Sequence, residues 1–201
     1  QYLLPEVLTR FSERYPQEQI RIQETDSSKV VMQIVDHRVD IGFTGTVLEK
    51  KHCKYIPFYK DELVIITPNT PKYQELAQGN KEDISWIKKE HVIMREEGSG
   101  TRKEAELQLK GAGVKFAGLD IIASIENQET IKKSVRQGMG ISILSKLATA
   151  DEVANGEILA FPIPNSDAGR DINLVYNKNY QMRRSAERFI KVVKEVYNIP
   201  R

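Results

Sequence analysis

The residues best suited to binding chemistry lie in one short run, Gly98-Ser99-Gly100-Thr101, which Arg102 follows. Glycines lack a Cβ atom, so the backbone N–H groups beside them can approach a ligand closely. If a helix begins here, the unpaired N–H groups of its first turn favour an anion, and the two hydroxyl groups add donors. The run therefore predicts an anion-binding turn, with Arg102 as a source of positive charge. The same residue types also form ordinary helix caps, and the spacing alone does not separate the two interpretations.

Polar residues also lie at or just after the carboxyl ends of several other predicted strands, namely Thr44, Ser27 and Asn127. Each has a purely structural explanation, because Ser27 (or its neighbour Ser28) and Asn127 can cap helices and a threonine hydroxyl can bond its own turn. In a parallel α/β sheet, however, the carboxyl ends of the strands meet at one edge, and ligands bind there. We therefore expect these turns and the run at 98–101 to converge on one cleft that takes a small anionic or polar ligand.

Catalytic, metal-binding and cofactor-binding motifs find little support. The three histidines, His37, His52 and His91, lie in different predicted elements and have no metal-ligand spacing. Ser99 lacks the Gly-x-Ser-x-Gly setting of a hydrolase nucleophile, and its run lacks the Gly-Lys-Ser/Thr ending of a nucleotide phosphate loop. The lone Cys53 is better explained as an inert residue than as a nucleophile. We therefore predict no enzymatic activity, no metal and no cofactor.

The composition limits the classes of partner. The 201 residues include 30 lysines and arginines against 28 aspartates and glutamates, which leaves a formal net charge of +2. A chain this balanced does not hold nucleic acid or an anionic membrane by bulk charge. One cysteine excludes an internal disulfide framework, and no apolar run approaches the roughly 20 residues of a membrane span. We expect a globular, cytoplasmic protein that meets a small molecule or another protein.

Hydrophobic periodicity predicts alternating helices and strands. The first helix begins near Pro5, with apolar residues 4, 7, 8, 11 and 15 on one face. A strand at 19–25, a helix buried through residues 30, 31, 34 and 35, and a strand at 39–45 form a βαβ unit, which predicts a parallel sheet. Further strands are expected at 55–58, 62–67, 91–94, 121–124, 141–144, 158–161 and 171–176. Further helices are expected at 71–78, 102–110, 127–137 and 146–154 and near the C-terminus.

Turn-rich stretches around 67–71 and 162–171 divide this alternation into two blocks. The pattern predicts two α/β lobes linked by two crossings, with a ligand cleft between them at the carboxyl ends of the strands. The sequence also begins without methionine and shows helical periodicity within its first few residues. We therefore expect it to be a fragment of a longer protein.

Several motifs follow one another along the chain in a specific order. They are Tyr2-Leu3-Leu4-Pro5-x-x-Leu8-x-x-Phe11-x-x-x-Tyr15-Pro16, Val39-Asp40-Ile41-Gly42-Phe43, Asp61-Glu62-Leu63-Val64-Ile65-Ile66-Thr67-Pro68, Arg95-Glu96-Glu97-Gly98-Ser99-Gly100-Thr101-Arg102 and Ile131-x-x-x-Val135-x-x-Gly138-Met139-Gly140-Ile141-Ser142-Ile143-Leu144. Gly156-Glu157-Ile158 and the terminal helix complete the series. In this combination the chain resembles the effector-binding domain of LysR-type transcriptional regulators over essentially its whole length.

The resemblance implies an α/β fold of the type 2 periplasmic-binding-protein class, with two Rossmann-like lobes joined by two crossover strands and a small-molecule effector in the cleft. Lobe I is then residues 1–67 and 172–201, and lobe II is residues 68–171. The effector-binding residues carried over by the resemblance are Thr44, Ser99, Gly100, Thr101 and Asn127. Such domains pair as antiparallel dimers, so we expect a homo-oligomer to which the edge of the first helix contributes.

The same resemblance implies a sensor that acts on DNA indirectly. The family's N-terminal winged helix-turn-helix, linker helix and first strand do not occur in this sequence, so we expect DNA contact only through that missing domain. A solute-binding protein for an oxyanion in an ABC transporter is the alternative, because Gly-Ser-Gly-Thr at a helix start suits it equally well. An enzyme built on the same lobes, such as a deaminase or dehydratase, is a third hypothesis, and it lacks an identifiable acid–base set.

Overall fold

The computed structural model describes residues 2–165 and 169–200, which contain seven α-helices and eight strands. The helices are α1 Leu4–Arg14, α2 Ser27–Val35, α3 Pro71–Gln78, α4 Gly100–Gly111, α5 Gln128–Arg136, α6 Ala150–Ala154 and α7 Arg184–Val196. The strands are β1 Gly42–Thr44, β2 Cys53–Asp61, β3 Leu63–Pro68, β4 His91–Arg95, β5 Asp120–Ile125, β6 Ile141–Ser145, β7 Ile158–Pro162 and β8 Arg170–Asn177. Short 3₁₀ turns occur at Ser85–Lys89, Phe116–Gly118 and Leu147–Thr149. The expected turn-rich joint around 162–171 lies partly outside the described residues.

The chain divides into two compact units. Unit 1 comprises the described residues of 1–60 and 171–201, and unit 2 comprises those of 61–170. The chain therefore passes from unit 1 to unit 2 at the end of β2 and returns at the start of β8. The first passage lies seven residues before the expected boundary at 67/68, because β3 is hydrogen-bonded between two strands of the unit 2 sheet.

Unit 1 is built on a three-stranded sheet with the order β1-β8-β2. Successive residues of β8 alternate between its two faces, as the pleat requires. Leu174 packs with Val7 and Phe11 of α1 and with the apolar face of α7. Val175 packs on the opposite face with Val31 and Ile34 of α2. Helices therefore cover both faces of this small sheet.

Unit 2 is built on a five-stranded sheet with the order β5-β4-β6-β3-β7. Strands β5, β4 and β6 run parallel, and β3 is antiparallel to both β6 and β7. Alternate residues of β3 again face opposite ways. Leu63 and Ile65 join the core on the side of α3 and α4, whereas Val64 and Ile66 join the core formed with α5. The carboxyl ends of the three parallel strands consequently lie at one edge of the sheet, and this edge carries the polar turns of unit 2.

The strand predicted at 19–25 is not formed. Within the described part of the chain, these residues pair with no other strand, and Ile20 and Ile22 are exposed. Alternating side chains specify an extended backbone but not a hydrogen-bonding neighbour. The neighbour that β1 does take is β8, in antiparallel register Phe43↔Leu174, which comes from the far end of the chain. The predicted parallel βαβ unit at 19–45 is therefore wrong, whereas the helix within it is confirmed.

Among residues 2–165 and 169–200, the helices are too short or too polar to span a lipid bilayer.

Candidate functional site

The predicted anion-binding turn leads from β4 into α4, as expected. Gly98 has a φ of +88°, in the left-handed region that glycine adopts without a steric penalty. The Ser99 N–H donates to the Glu96 carbonyl at 3.2 Å, which closes the turn. Ser99 is the N-cap of α4, and its Oγ accepts the N–H of Arg102 at 3.4 Å. The helix therefore begins at Gly100, two residues before its predicted start.

The groups in this turn are buried yet retain capacity for hydrogen bonds. Ser99 is 4% exposed and Thr101 is 7% exposed. The N–H groups of Gly100 and Thr101 donate to none of the residues that the structure describes. They are first-turn amides at the positive end of the α4 dipole, and a buried N–H group without a partner costs free energy. The turn therefore has the donors that the sequence predicted, and their partners are of the kind that an anion provides.

Arg102 lies beside the turn, with its guanidinium held by groups of unit 2. Its Nη1 donates to the Arg95 carbonyl at 3.2 Å and its Nε lies 3.4 Å from a carboxylate oxygen of Glu106. The same guanidinium lies over the Phe116 ring at 5.4 Å from the centroid. These contacts fix the start of α4 against the end of β4.

A second charged pair borders the turn, and the sequence interpretation missed its role. Arg95 donates to both carboxylate oxygens of its neighbour Glu96, from Nε at 2.7 Å and from Nη2 at 2.9 Å. Both side chains are largely buried. The Arg95 guanidinium thus neutralises a carboxylate that would otherwise repel an anion at the adjacent turn. The adjacent opposite charges in the sequence were the available signal, but adjacency alone does not predict a bidentate pair.

Asn127 occupies the corresponding position after β5. Its Oδ1 accepts the N–H of Thr130 at 2.9 Å, so it is the N-cap of α5, and its side chain is exposed. Strands β4 and β5 are parallel neighbours, with Arg95 opposite Ile125 at their carboxyl ends. The structure therefore brings Asn127 and the turn at 98–101 to the same edge of unit 2. Ser145, the last residue of β6, ends the third parallel strand at this edge.

The two candidates in unit 1 make structural contacts of their own. The Thr44 hydroxyl is buried and donates to the Thr46 carbonyl at 2.9 Å, the turn bond that was one of its two interpretations. Ser27 is the first residue of α2, and the cap of that helix is Asp26, whose Oδ1 accepts the Lys29 N–H at 2.9 Å. The expectation that Ser27 or Ser28 caps the helix is therefore wrong, because the carboxylate one residue earlier takes that bond.

Asp26 also carries an electrostatic signature of capping. Burial alone raises the pKa of its carboxyl, but the backbone N–H groups and ammonium of the first turn outweigh burial and hold that pKa below its usual value.

Thr44 and Ser27 lie in unit 1 and the other candidates in unit 2. Their convergence on one cleft stays a prediction.

The remaining chemistry-bearing side chains do not form a second site in the described residues. No cluster of three or more histidine, cysteine, aspartate or glutamate side chains that could hold a metal ion occurs among them. Cys53 is buried in the core of unit 1, where burial and the nearby Glu49 carboxylate raise the pKa of its thiol to about 11. A thiol with that pKa is not a nucleophile at neutral pH.

Two α/β units linked by two passages of the chain, with polar helix-start turns at a carboxyl strand edge, define a ligand-binding domain of two-lobed architecture. Sequence comparison specifies the family. Residues 1–198 match the model of the LysR substrate binding domain. The chain belongs to this family, so the resemblance inferred from the sequence motifs is confirmed.

Individual relatives agree with the family assignment. The HTH-type transcriptional regulator YeiE of Escherichia coli is 30% identical over 201 residues, all of this chain and 66% of that protein. This chain thus spans slightly less than two thirds of that relative. The regulatory domain of CcmR from Synechocystis, solved in complex with 2-PG, superposes with a TM-score of 0.84 at 24% identity, over 98% of this chain and 91% of that one. The effector-binding domain of QuiR in complex with shikimate gives 0.82 at 18% identity, over 97% and 90% of the two chains.

These comparisons confirm the expected type 2 periplasmic-binding-protein fold and the ligand-binding role of the domain. They favour the regulator hypothesis over the transport hypothesis. The relative named above is a transcriptional regulator, and the two solved structures are regulatory or effector-binding domains. The enzyme hypothesis receives no support from a family of transcriptional regulators.

Proposed function

We propose that this chain is the effector-sensing domain of a cytoplasmic LysR-type transcriptional regulator and that it binds a small anion at the turn between β4 and α4. The observation that carries the proposal is the pair of N–H groups of Gly100 and Thr101, which donate to no described residue, set between the buried hydroxyls of Ser99 and Thr101. Amides at a helix start bind carboxylates and inorganic oxyanions well, because both the donors and the helix dipole favour negative charge.

Each residue of the site has its own proposed role. The Ser99 and Thr101 hydroxyls and the amides of Gly100 and Thr101 bind the anionic group of the effector. Asn127, at the end of the neighbouring strand, contacts a further oxygen of the same anionic group, which brings the first turn of α5 into the site. Arg102 has two roles. Its contacts with the Arg95 carbonyl and with Glu106 hold α4 in place, and its positive charge adds to the electrostatic potential at the turn. Thr44 and Ser27 are proposed as further effector contacts from unit 1.

Regulation is proposed for the whole protein of which this sequence forms part. The relative YeiE is an HTH-type regulator that is longer than this chain, which supports an attached DNA-binding domain as the route to DNA. We propose that the domain acts in a homo-oligomer built on antiparallel dimers and has no enzymatic activity. An effector shifts such a protein only by its differential affinity for the two states of the domain. We expect the effector to change the operator affinity of the full-length protein, which fluorescence anisotropy measures, and an unchanged affinity would contradict this expectation.

Isothermal titration calorimetry with sulfate, phosphate and small carboxylates tests the anion site. We expect Ser99→Ala to weaken binding of the best ligand by about tenfold, because one hydrogen bond to a charged group contributes about 1.5 kcal/mol. The same substitution also removes the α4 cap, which costs ~1 kcal/mol of stability.

The matched variant Ser99→Asp separates binding from capping. Aspartate caps a helix as well as serine does, so this variant should unfold at the wild-type urea concentration. Its carboxylate repels an anion at the turn, so its binding heat should vanish. If either variant binds the ligand as tightly as the wild type, the turn is not the site. If no anion in the panel binds the wild type, the proposed class of effector is wrong.

A further inference from the structure

We propose that a buried polar network in unit 2 couples the effector edge to the two points where the chain crosses between the units. The network runs through Lys132, Ala148, Ser145, Asp61 and Arg170. Its members come from α5, the 3₁₀ turn after β6, the end of β6, the end of β2 and the start of β8. The proposal rests on the proposed function, because it treats the first turn of α5 as part of the effector edge.

The network begins in α5, close to the capping residue Asn127. Lys132 is almost fully buried on this helix. Its Nζ lies 2.8 Å from a carboxylate oxygen of Glu129, in the first turn of the helix, and 2.6 Å from one of Glu152 in α6. The same ammonium donates to the Ala148 carbonyl at 2.9 Å. A buried ammonium held by two carboxylates and a carbonyl fixes the position of α5 relative to the segment after β6.

The network continues along the edge of the sheet to the first crossing. The Ala148 N–H donates to Ser145 Oγ at 3.3 Å, and the Ser145 hydroxyl donates to Asp61 Oδ1 at 2.6 Å. Ser145 therefore accepts one hydrogen bond and donates another, and its hydroxyl links Ala148 to the Asp61 carboxylate. The Lys146 N–H reinforces this junction by donating to the Glu62 carbonyl at 2.8 Å.

The network ends at the second crossing. Asp61 Oδ2 accepts from Arg170 Nε at 3.2 Å and from Arg170 Nη2 at 3.0 Å. Asp61 is 4% exposed and Arg170 is 9% exposed. One carboxylate thus joins the strand by which the chain enters unit 2 to the strand by which it leaves. Because these groups are buried, losing one bond leaves a partner unsatisfied, so the members change position together rather than one at a time.

An effector that tightens the first turn of α5 therefore changes the strength with which both crossings are held. The residues that hydrogen-bond to the Asp61 carboxylate lie far from it in the sequence, at positions 145 and 170. Backbone pairing also joins these elements, because Leu63 lies opposite Ser145 in the β3–β6 ladder. The Ser145 hydroxyl adds a direct side-chain link to the carboxylate of Asp61. Ser145 is the link whose removal should interrupt the coupling with the least disturbance, because serine to alanine deletes one oxygen.

Amide hydrogen exchange tests the coupling in the whole chain, with sodium sulfate as the probe and sodium chloride at equal ionic strength as the reference. Segment 100–103 reports binding, and segments 61–64 and 170–173 report the crossings. Ser142→Ala is the matched control for Ser145→Ala, because Ser142 is also buried on β6 and, among the described residues, its hydroxyl donates to the Ile93 carbonyl of β4 and not to Asp61.

In the wild type and in Ser142→Ala, we expect sulfate to slow exchange of all three segments, with at least about a 3-fold effect at the crossings. In Ser145→Ala, segment 100–103 should remain protected by sulfate and the crossings should lose their protection. Two results overturn the coupling and leave the effector site standing. In one, sulfate still protects the crossings of Ser145→Ala from exchange. In the other, sulfate protects segment 100–103 of the wild type but not its crossings.

If sulfate protects none of these segments, the proposed anion site fails, and sulfate-free exchange then decides the network alone. Lys132→Met should speed exchange at the Lys146 amide and at 61–64 by at least about 3-fold, because it removes the ammonium from the far end of the network. Arg136 lies on the same helix as Lys132, and Arg136→Met breaks only its exposed ion pair with Glu157, so this variant should leave those amides unchanged. Equal effects of these two variants refute the network.

Discussion

The buried ion pair at the two crossings offers the sharpest stability prediction. Asp61→Asn removes the charge of the carboxylate and keeps its size. In the wild type, Asp61 Oδ2 accepts two hydrogen bonds from the Arg170 guanidinium, at 3.0 and 3.2 Å. In the variant the guanidinium stays buried, but no carboxylate balances its charge. Removing one partner of a buried ion pair costs about 3–5 kcal/mol. For a chain of this length, each kcal/mol lowers the Tm by ~2–4 °C, so the Tm should fall by roughly 6–20 °C.

The neighbouring residue supplies the control. Glu62 pairs with Lys146 at 2.9 Å, but these side chains are 59% and 65% exposed. Exposed pairs contribute about 0–1 kcal/mol, so Glu62→Ala should change the Tm by no more than a few degrees. Urea unfolding and differential scanning calorimetry measure both variants.

A second variant tests the physical reason. If the cost arises from an unbalanced charge on Arg170, the double variant Asp61→Asn with Arg170→Met should be more stable than Asp61→Asn alone, since it removes that charge. Two results would refute the reasoning: an Asp61→Asn variant as stable as Glu62→Ala, or a double variant that loses the sum of two independent costs.

Two further predictions concern the opposite end of unit 2. Burial alone raises the pKa of Glu90, but hydrogen bonds from the Lys72 ammonium and the Tyr73 hydroxyl and the Lys72 charge together outweigh burial and lower that pKa. These contacts therefore stabilise the fold above pH 4.5, and their contribution disappears as the pH falls through the folded-state pKa. In urea titrations, the free energy of unfolding of the wild type should exceed that of Glu90→Gln by about 1–2 kcal/mol at pH 7 and by less at pH 3.5. A difference that does not change with pH would contradict this pH dependence. Gly140→Ala should cost at least about 2 kcal/mol, because an added Cβ would lie 2.4 Å from the His91 carbonyl oxygen. Gly118→Ala, with open space around its Cβ position, should unfold at nearly the wild-type temperature, and equal losses in the two variants would contradict the steric argument.

The sequence predicted those elements whose pattern is local. The α1 stripe, the strands of unit 2 and the helix after Ser99 all formed near their predicted positions, because periodicity and capping residues act over a few neighbours. The site turn was predictable for the same reason: Gly98 supplies a left-handed residue and Ser99 a cap, and both functions belong to residues adjacent in sequence.

Pairings between distant residues could not be obtained in this way. The partner of β1 is β8, which comes more than a hundred residues later, so alternation at 19–25 gave a strand without a neighbour. The Asp61 carboxylate likewise finds its partners at Ser145 and Arg170. In the sequence, Asp61 is one of 28 acidic residues, and nothing in its local pattern distinguishes a buried carboxylate from an exposed one.

The unequal continuity of the two units has a consequence for synthesis of the protein. Unit 2 is one unbroken stretch, 61–170, whereas unit 1 is assembled from both sides of it. Strand β8 lies between β1 and β2, so before residues 170–177 leave the ribosome the sheet of unit 1 lacks its middle strand. Unit 2 is therefore the part able to fold first during translation. Until β8 is synthesised, residues 1–60 cannot complete the sheet of unit 1, so the apolar side chains of α1 and α2 stay exposed. Chaperone binding during synthesis should concentrate on this segment.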